Sequence, residues 1–346
     1  MLRNDTFLRA ARGEPVPYTP VWYMRQAGRS DPEYRAIKEK YSLLEINQNS
    51  ELAAYVTRLP VEKLGVDAAI LYSDIMNPLA GLGVKFDIQK GVGPVVHHPI
   101  RSEADVLALS TFDLEPLASV LKTIALLKQS LTVPLIGFAG APFTLASYLI
   151  EGGPSRTYRH TKQFMLRHPK SWNLLMERLS DMAARYLRAQ IEAGASAVQL
   201  FDSWVGQLSP VDFRHYVLPY VERIFVALKD LSAVKIYFPG VASGELLPEL
   251  KTLPVEVIGV DWRVPLDRAR FRTDNKFVLQ GNFDPLWLEA PRSAREAYAR
   301  SILEEGLKGK GHIFNLGHGV YPEADIASLR ALTEYVQTTS RALRAT

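Results

Sequence analysis

The chain has 346 residues, 47% of them apolar and 23% charged, with a net charge of +4. It contains no cysteine, which excludes disulfides, thiolate zinc sites, iron–sulfur clusters and thiol nucleophiles. Its seven histidines, none in an HExxH arrangement, are a thin supply of metal ligands, so the expected chemistry rests on carboxylates, guanidiniums, hydroxyls and backbone.

The first stretch, residues 1–14, has no apolar leader and carries Asp5 and Glu14. Pro20–Met24 is then the first of eight short apolar runs with β-branched or aromatic content, and helical segments Glu33–Tyr41 and Ser50–Gly65 follow it. Ala68–Ser73 is the second run. Two G-x-G pairs, Gly81–Leu82–Gly83 and Gly91–Val92–Gly93, come after it, neither at a strand-to-helix turn of the dinucleotide-binding kind. Helices Ser102–Leu109 and Glu115–Leu131 lead to the third run, Pro134–Ala139. The uncharged stretch Gln129–Ile150 is long enough for a bilayer, but Gly140–Ala141–Pro142 splits it into a buried strand and a helix. Ser171–Gly194 is the clearest helix, with Trp172, Leu175, Met176, Leu179, Met182, Ala183 and Tyr186 on one face and Gly194 as its C-cap. The remaining runs are Ala197–Asp202, Val234–Phe238, Val255–Val260, Lys276–Gln280 and His312–Asn315. Helices Val211–Leu231, Ser243–Leu250, Pro265–Phe271, Ser293–Leu307 and Asp325–Leu343 separate or follow them, and Ser293 with Glu296 has the spacing of a capping box.

None of the eight runs alternates cleanly, which is the pattern of parallel strands buried on both faces. Eight strand–helix units predict one α/β domain over residues 1–346, a closed (β/α)8 TIM barrel with its cleft at the C-terminal ends of the strands. The charge pattern predicts no nucleic-acid partner, because the densest basic cluster is Lys308–Gly309–Lys310. With no membrane span and no leader, the expected location is the cytoplasm.

In such a barrel the loops after the strands carry the chemistry. Arg25 and Arg29 follow the first run, with Gln26, Ala27 and Gly28 between them; their position at a buried strand's mouth favours a functional role. Asp74 follows the second run, and the pattern leaves it open between a helix cap and a site carboxylate. Asp202 reads as a loop brace. Ser203 beside it is a modest candidate, and Tyr148 reads as core on pattern alone. Asp261, Asn282 and Asp284 end the sixth and seventh runs. His318 stands between two glycines after the eighth, where packing partners are few. Two arginines facing one carboxylate would bind a ligand with several carboxylates and a group that is or becomes positive.

Six ordered segments carry a family resemblance: VWYMRQAGR at residues 21–29, YSDI at 72–75, GFAGAPFTLASYLIEGG at 137–153, FDSW at 201–204, GNFDP at 281–285 and FNLGHG at 314–319. Together they resemble the uroporphyrinogen decarboxylase family from about Thr6 to Arg341. The resemblance implies a single (β/α)8 barrel and a homodimer with facing clefts. It implies removal of CO2 from the four acetate side chains of uroporphyrinogen III, giving coproporphyrinogen III in tetrapyrrole (haem) biosynthesis, with no metal and no organic cofactor. Carried over residue by residue, Arg25 and Arg29 look like carboxylate-binding arginines. Asp74 looks like the aspartate facing the pyrrole N–H groups. Tyr148, Ser203 and His318 look like contacts to acetate and propionate, and Phe138 and Phe201 like cleft walls. Gln26, Ala27 and Gly28 belong to the same substrate-binding segment. Ser30–Asp31 departs from the family pattern, where an aromatic and an aliphatic residue are common; Asp31 either weakens the pull of Arg29 or caps the next helix. Two alternatives remain: a zinc-dependent methyltransferase of the same barrel superfamily, which the absence of cysteine disfavours, and a non-catalytic tetrapyrrole-binding protein.

Overall fold

The computed structural model describes residues 3–28, 30–89 and 91–345. Seven of the eight apolar runs contain strands of one sheet: β1 (Ala69–Ile70), β4 (Leu135–Gly140), β5 (Ala197–Phe201), β6 (Val234–Phe238), β7 (Val257–Gly259), β8 (Val278–Gln280) and β9 (His312–Ile313). β2 (Phe86–Gln89) and β3 (Gly93–Val96) form a separate antiparallel hairpin. All six pairings of the large sheet are parallel and join chain neighbours, from β1 with β4 to β8 with β9. Every residue of β4 and β6 is buried, as a strand covered on both faces requires. The long helix Pro169–Ala193 packs its apolar face on β4 and β5, and Gly194 ends it with a φ of 135°.

The first run departs from expectation: Pro20–Met24 is not a strand, and only Val21 makes a ladder bridge, to Phe314. The cause is competition for its backbone donors. Val21 N–H goes to the Asp67 carboxylate at 2.9 Å, Tyr23 N–H to Gln26 Oε1 at 2.9 Å and Met24 N–H to Asn315 Oδ1 at 3.0 Å. Trp22 N–H still donates to Phe314 O at 3.3 Å, Phe314 N–H to Pro20 O at 2.9 Å, and Asp67 N–H to Val21 O at 2.8 Å. The segment therefore lies between the chain beyond β9 and the residue before β1. Its fully buried Trp22 donates from Nε1 to Gln280 Oε1 at 3.0 Å, and Gln280 Nε2 donates to Gln199 Oε1 at 2.9 Å, a polar chain linking β8 and β5.

Three further differences have local causes. The expected helix Val211–Leu231 is two, Pro210–Tyr216 and Leu218–Ala227, because Pro219 lacks an N–H and disfavours helical backbone before it. Ser293 and Glu296 form no capping box. The helix Arg292–Gly306 begins a residue earlier without a side-chain cap, and Glu296 pairs with Arg292 at 2.7 Å. Capping boxes occur instead at Ser42 with Glu45 and Ser102 with Asp105. The β2–β3 hairpin falls in a stretch expected as a connection, because its residues are mostly half-exposed and its second strand opens on Gly93–Pro94.

Candidate functional site

The C-terminal ends of β1, β4, β5 and β6 and the loops at residues 24–28 and 318–319 enclose a cavity of about 240 Å3. Its wall includes Arg25, Ala27, Gly28, Asp74, Phe138, Phe201, Ser203 and His318, so most of the residues singled out from the sequence meet in one place. Arg29 lies outside the described residues.

The loop after Met24 turns at once. Arg25 adopts a left-handed backbone with φ 64°, uncommon for a residue with a side chain and typical of sites that hold a group against local preference. Gln26 does not line the cavity. Its buried amide accepts Tyr23 N–H and donates to Ala68 O at 3.0 Å, pinning the loop to the chain before β1. Its side chain braces the loop. Ala27 and Gly28 line the cavity.

Asp74 closes a tight turn after β1. Its Oδ1 accepts Met76 N–H at 2.8 Å and its carbonyl accepts Asn77 N–H at 3.2 Å, leading into the 3-10 helix Asn77–Leu82. The carboxylate thus organises the turn while standing in the cavity wall. Beside it the hydroxyls of Tyr34 and Tyr72 are 2.8 Å apart. Burial, then the neighbouring Tyr34 and the charge of Asp74, hold the Tyr72 phenol far above its ordinary value. Tyr72 is a hydrogen-bonding neutral group here.

The opposite wall is aromatic. Phe138 and Phe201 meet edge to face at 5.5 Å, and Phe201 meets Phe238 at 6.2 Å. Phe201 and Phe238 are register partners on β5 and β6, so both project to the same side. Phe238 was missed in the sequence, although it ends its run as Phe201 nearly ends its own. Tyr34 and Tyr72 were missed too, since tyrosines near helices and strand ends carry no pattern of their own.

His318 is reachable from the cavity because its neighbours are glycines. A β-carbon on Gly317 would strike Asp261 and Trp262 backbone, and one on Gly319 would strike the Arg25 side chain. Burial first, then the positive charge of Arg25, pushes the His318 imidazole down to about 4, so it is neutral at neutral pH. Tyr148, on the helix Pro142–Glu151, is buried and does not line the cavity. It stands edge to face with Trp204 at 6.0 Å. Burial, opposed by a hydrogen bond from Trp204, raises its phenol to about 12, with smaller effects of the Asp74 and Arg25 charges.

Other polar groups at the strand ends hold loops. Asp202 is fully buried and accepts Thr144 Oγ1 at 2.7 Å and Tyr237 OH at 2.9 Å, so it is the brace that the sequence pattern suggested. Asn282 donates to Asp261 O and Val264 O, Asp261 accepts Arg263 N–H, and Asp284 caps the 3-10 helix Pro285–Glu289. Asp31 caps the helix Pro32–Lys40 and accepts Lys63 Nζ at 2.7 Å, which favours capping for that unusual position. Among the described residues no group of three or more His, Asp or Glu side chains is arranged to hold a metal ion. The cleft offers, among the described residues, the Arg25 cation, the Asp74 carboxylate, neutral hydrogen-bonding groups and an aromatic wall.

The uroporphyrinogen decarboxylase (URO-D) family pattern matches residues 2–339. A uroporphyrinogen decarboxylase of Geobacillus kaustophilus is 56% identical over 335 residues, 96% of each chain. One of Bacillus thuringiensis is 53% identical over 340 residues, 98% of this chain and 97% of that one. Among solved structures, a methyltransferase from Methanosarcina mazei superposes with a TM-score of 0.76 at 19% identity, covering 99% of this chain and 98% of that one. A B12-independent methionine synthase from Shewanella superposes with a TM-score of 0.58 at 12% identity, covering 86% of this chain and 90% of that one. At such identities these two likenesses concern the fold alone.

Proposed function

The chain belongs to the uroporphyrinogen decarboxylase family, and from that premise we propose that it removes CO2 from the four acetate side chains of uroporphyrinogen III to give coproporphyrinogen III, with the cleft around Arg25 and Asp74 as the reacting site. The observation that carries the placement is the convergence of Arg25, Asp74, Ser203 and His318 on one aromatic-walled cavity at the strand ends.

Loss of CO2 from an acetate leaves an electron pair on carbon. Cofactor enzymes often supply the sink for such electrons; here the pyrrole ring supplies it. A proton added to the ring carbon beside nitrogen makes an iminium-like cation. The bond to CO2 then breaks, and its electrons form an exocyclic double bond and neutralise the nitrogen. A second proton converts the exocyclic carbon to methyl, and loss of the first restores the pyrrole, so each acetate consumes one proton net. An ionised Asp74, fixed by the Met76 N–H, stabilises the ring N–H groups as they become positive. Arg25 and Arg29 hold substrate carboxylates. Neutral His318 and Ser203 hydrogen-bond further carboxylates, and Tyr148 supports the cleft from behind. The first proton comes from an arginine, a water or a substrate carboxyl; arginine is a weak acid for this role.

The same reading includes a barrel closed by Pro20–Met24 as its eighth stave, supported by the hydrogen bonds from Trp22 to Phe314 and from Asp67 to Val21; an experimental structure with this segment elsewhere would refute it. It includes a homodimer, tested by sedimentation, and work in the cytoplasm within haem synthesis, tested by fractionation. No described helix is long and apolar enough to cross a membrane. The direct assay is anaerobic incubation with uroporphyrinogen III followed by chromatography of the oxidised products. Stepwise conversion to the four-carboxyl product supports the function, and bound but unchanged substrate would mean a non-catalytic tetrapyrrole binder.

A further inference from the structure

A macrocycle of four pyrroles bearing acetates and propionates is larger than a cavity of about 240 Å3. Part of it must lie over the rim at the strand ends, where its outer carboxylates need partners. Arg25 is the one cation among the described residues of the cavity wall. A second arginine stands beside it on the rim. Arg263 lies in the loop after β7, and three contacts fix it there. The buried Asp261 accepts the backbone N–H of Arg263 at 2.7 Å and that of Ala242, tying the loop after β7 to the loop after β6. The Arg263 guanidinium lies over the Trp262 ring, its Cζ 4.3 Å from the centroid. Trp262 packs in turn against the loop that carries His318. A β-carbon on Gly317 would stand only 3.1 Å from Trp262 Cβ. Arg263 and His318 therefore belong to one surface. The electrostatics agree: burial first, then the charge of Arg25, and to a smaller degree that of Arg263, hold the His318 imidazole low.

The guanidinium is poised for a ligand. Its side chain is 50% exposed, and the nearest Asp261 oxygen is 3.8 Å away, beyond hydrogen-bond length. Asp261 spends its oxygens on backbone N–H groups instead. Among the described residues the Arg263 side chain donates no hydrogen bond. It lines a concavity of about 280 Å3 with Arg268 and Arg272, of which Arg272 pairs with Glu245 at 2.8 Å. Resting on the function proposed above, we propose that Arg263 binds a propionate of the tetrapyrrole at the rim of the cleft, beside His318. Arg263 does not line the cavity that holds Asp74, so the carboxylate it meets is not the one being lost. Propionates alone persist through every removal, and each adjoins an acetate on its own ring, so one rim residue serves every round. A guanidinium oriented by stacking presents its edge to a carboxylate for paired hydrogen bonds.

The test begins without turnover. Arg263→Gln, at an exposed position, should melt with the parent. Anaerobic titration calorimetry with coproporphyrinogen III, which keeps only propionates, should show binding about tenfold weaker than the parent's. KM for uroporphyrinogen III should rise about tenfold with kcat nearly unchanged, the mark of binding shared by ground and transition states. Arg263→Lys keeps the charge but not the planar fork, and should fall between the two. Arg268→Gln removes the same charge nearby and should leave both measurements as in the parent. Equal losses in Arg263→Gln and Arg268→Gln would mean general attraction by rim charge and overturn a bound propionate. Unchanged product binding in Arg263→Gln overturns the proposal even if KM rises. A parent chain that binds coproporphyrinogen III but releases no CO2 refutes the decarboxylase reading and not the subsite, which the calorimetry of Arg263→Gln still decides.

Discussion

The Arg25 side chain lies directly over the Cα of Gly319: a β-carbon at 319 would stand 2.7 Å from Arg25 Cγ and 3.0 Å from its Nε. Gly319 has no left-handed backbone to accommodate, so space and not conformation calls for glycine here. Arg25 itself does carry a left-handed backbone, and the loop that imposes it is braced by Gln26 and Asn315.

Gly319→Ala should fold, because the atoms it displaces belong to a flexible side chain. It should move the guanidinium and reduce kcat/KM by about ten- to a hundredfold, the scale of a misplaced positioning group. Steady-state kinetics beside a thermal melt checks this. Arg25→Ala should raise KM and lower kcat together. An unchanged KM would remove Arg25 from carboxylate binding.

Asp74→Asn keeps an oxygen for the Met76 N–H, so the turn should survive. It removes the negative charge opposite the developing cation, and kcat should fall by about a hundredfold or more. A near-normal kcat with intact folding would assign Asp74 to the turn alone.

Stability should fall in acid with a sign set by four buried groups, His312, His318, Asp202 and Asp67. His312 and His318 are both held near 4 by burial, below their ordinary 6.5. The unfolded chain therefore binds more protons there, and their contribution is lost as pH falls from about 6.5 towards 4. Asp202, raised to about 6 by burial, works oppositely: its contribution is present at low pH and is lost as pH rises through about 6. Asp67, also raised by burial, opposes the histidines in the same sense as Asp202, so the net decline between about pH 7 and pH 4 is smaller than two histidines alone would give. Urea melts across that range should show the decline, and Asp202→Asn should steepen it. Because His318 stays neutral, it should add no inflection to kcat/KM near 6.5.

Tyr237→Phe deletes one of the two hydroxyls on the Asp202 carboxylate and leaves Oδ2 buried without that donor. The expected cost is about 1–3 kcal/mol of stability, with KM close to unchanged. A large loss of activity at full stability would instead move Asp202 from brace to catalysis.

Activity should survive dialysis against strong chelators with no cofactor added. Loss of turnover that returned metal restores would overturn a reaction carried by the substrate's own ring.

Seven strands were legible because strands covered on both faces must be apolar throughout, and Val234–Phe238 matched residue for residue. Arg25, Asp74, Ser203 and His318 were legible as polar residues just past such runs. What the Gln26 side chain holds was not legible, because an amide's partner, here Ala68 O and Tyr23 N–H, depends on how a loop folds back. The sequence by itself determined the parallel strand–helix order, the family and the strand-end position of the cleft, because burial and chain order act locally. Only the tertiary structure decided that Asp67, Gln26 and Asn315 would take backbone donors of residues 21–24 and that Gly319 would make room for Arg25. Those outcomes depend on side chains far apart in the chain competing for the same space and the same hydrogen bonds.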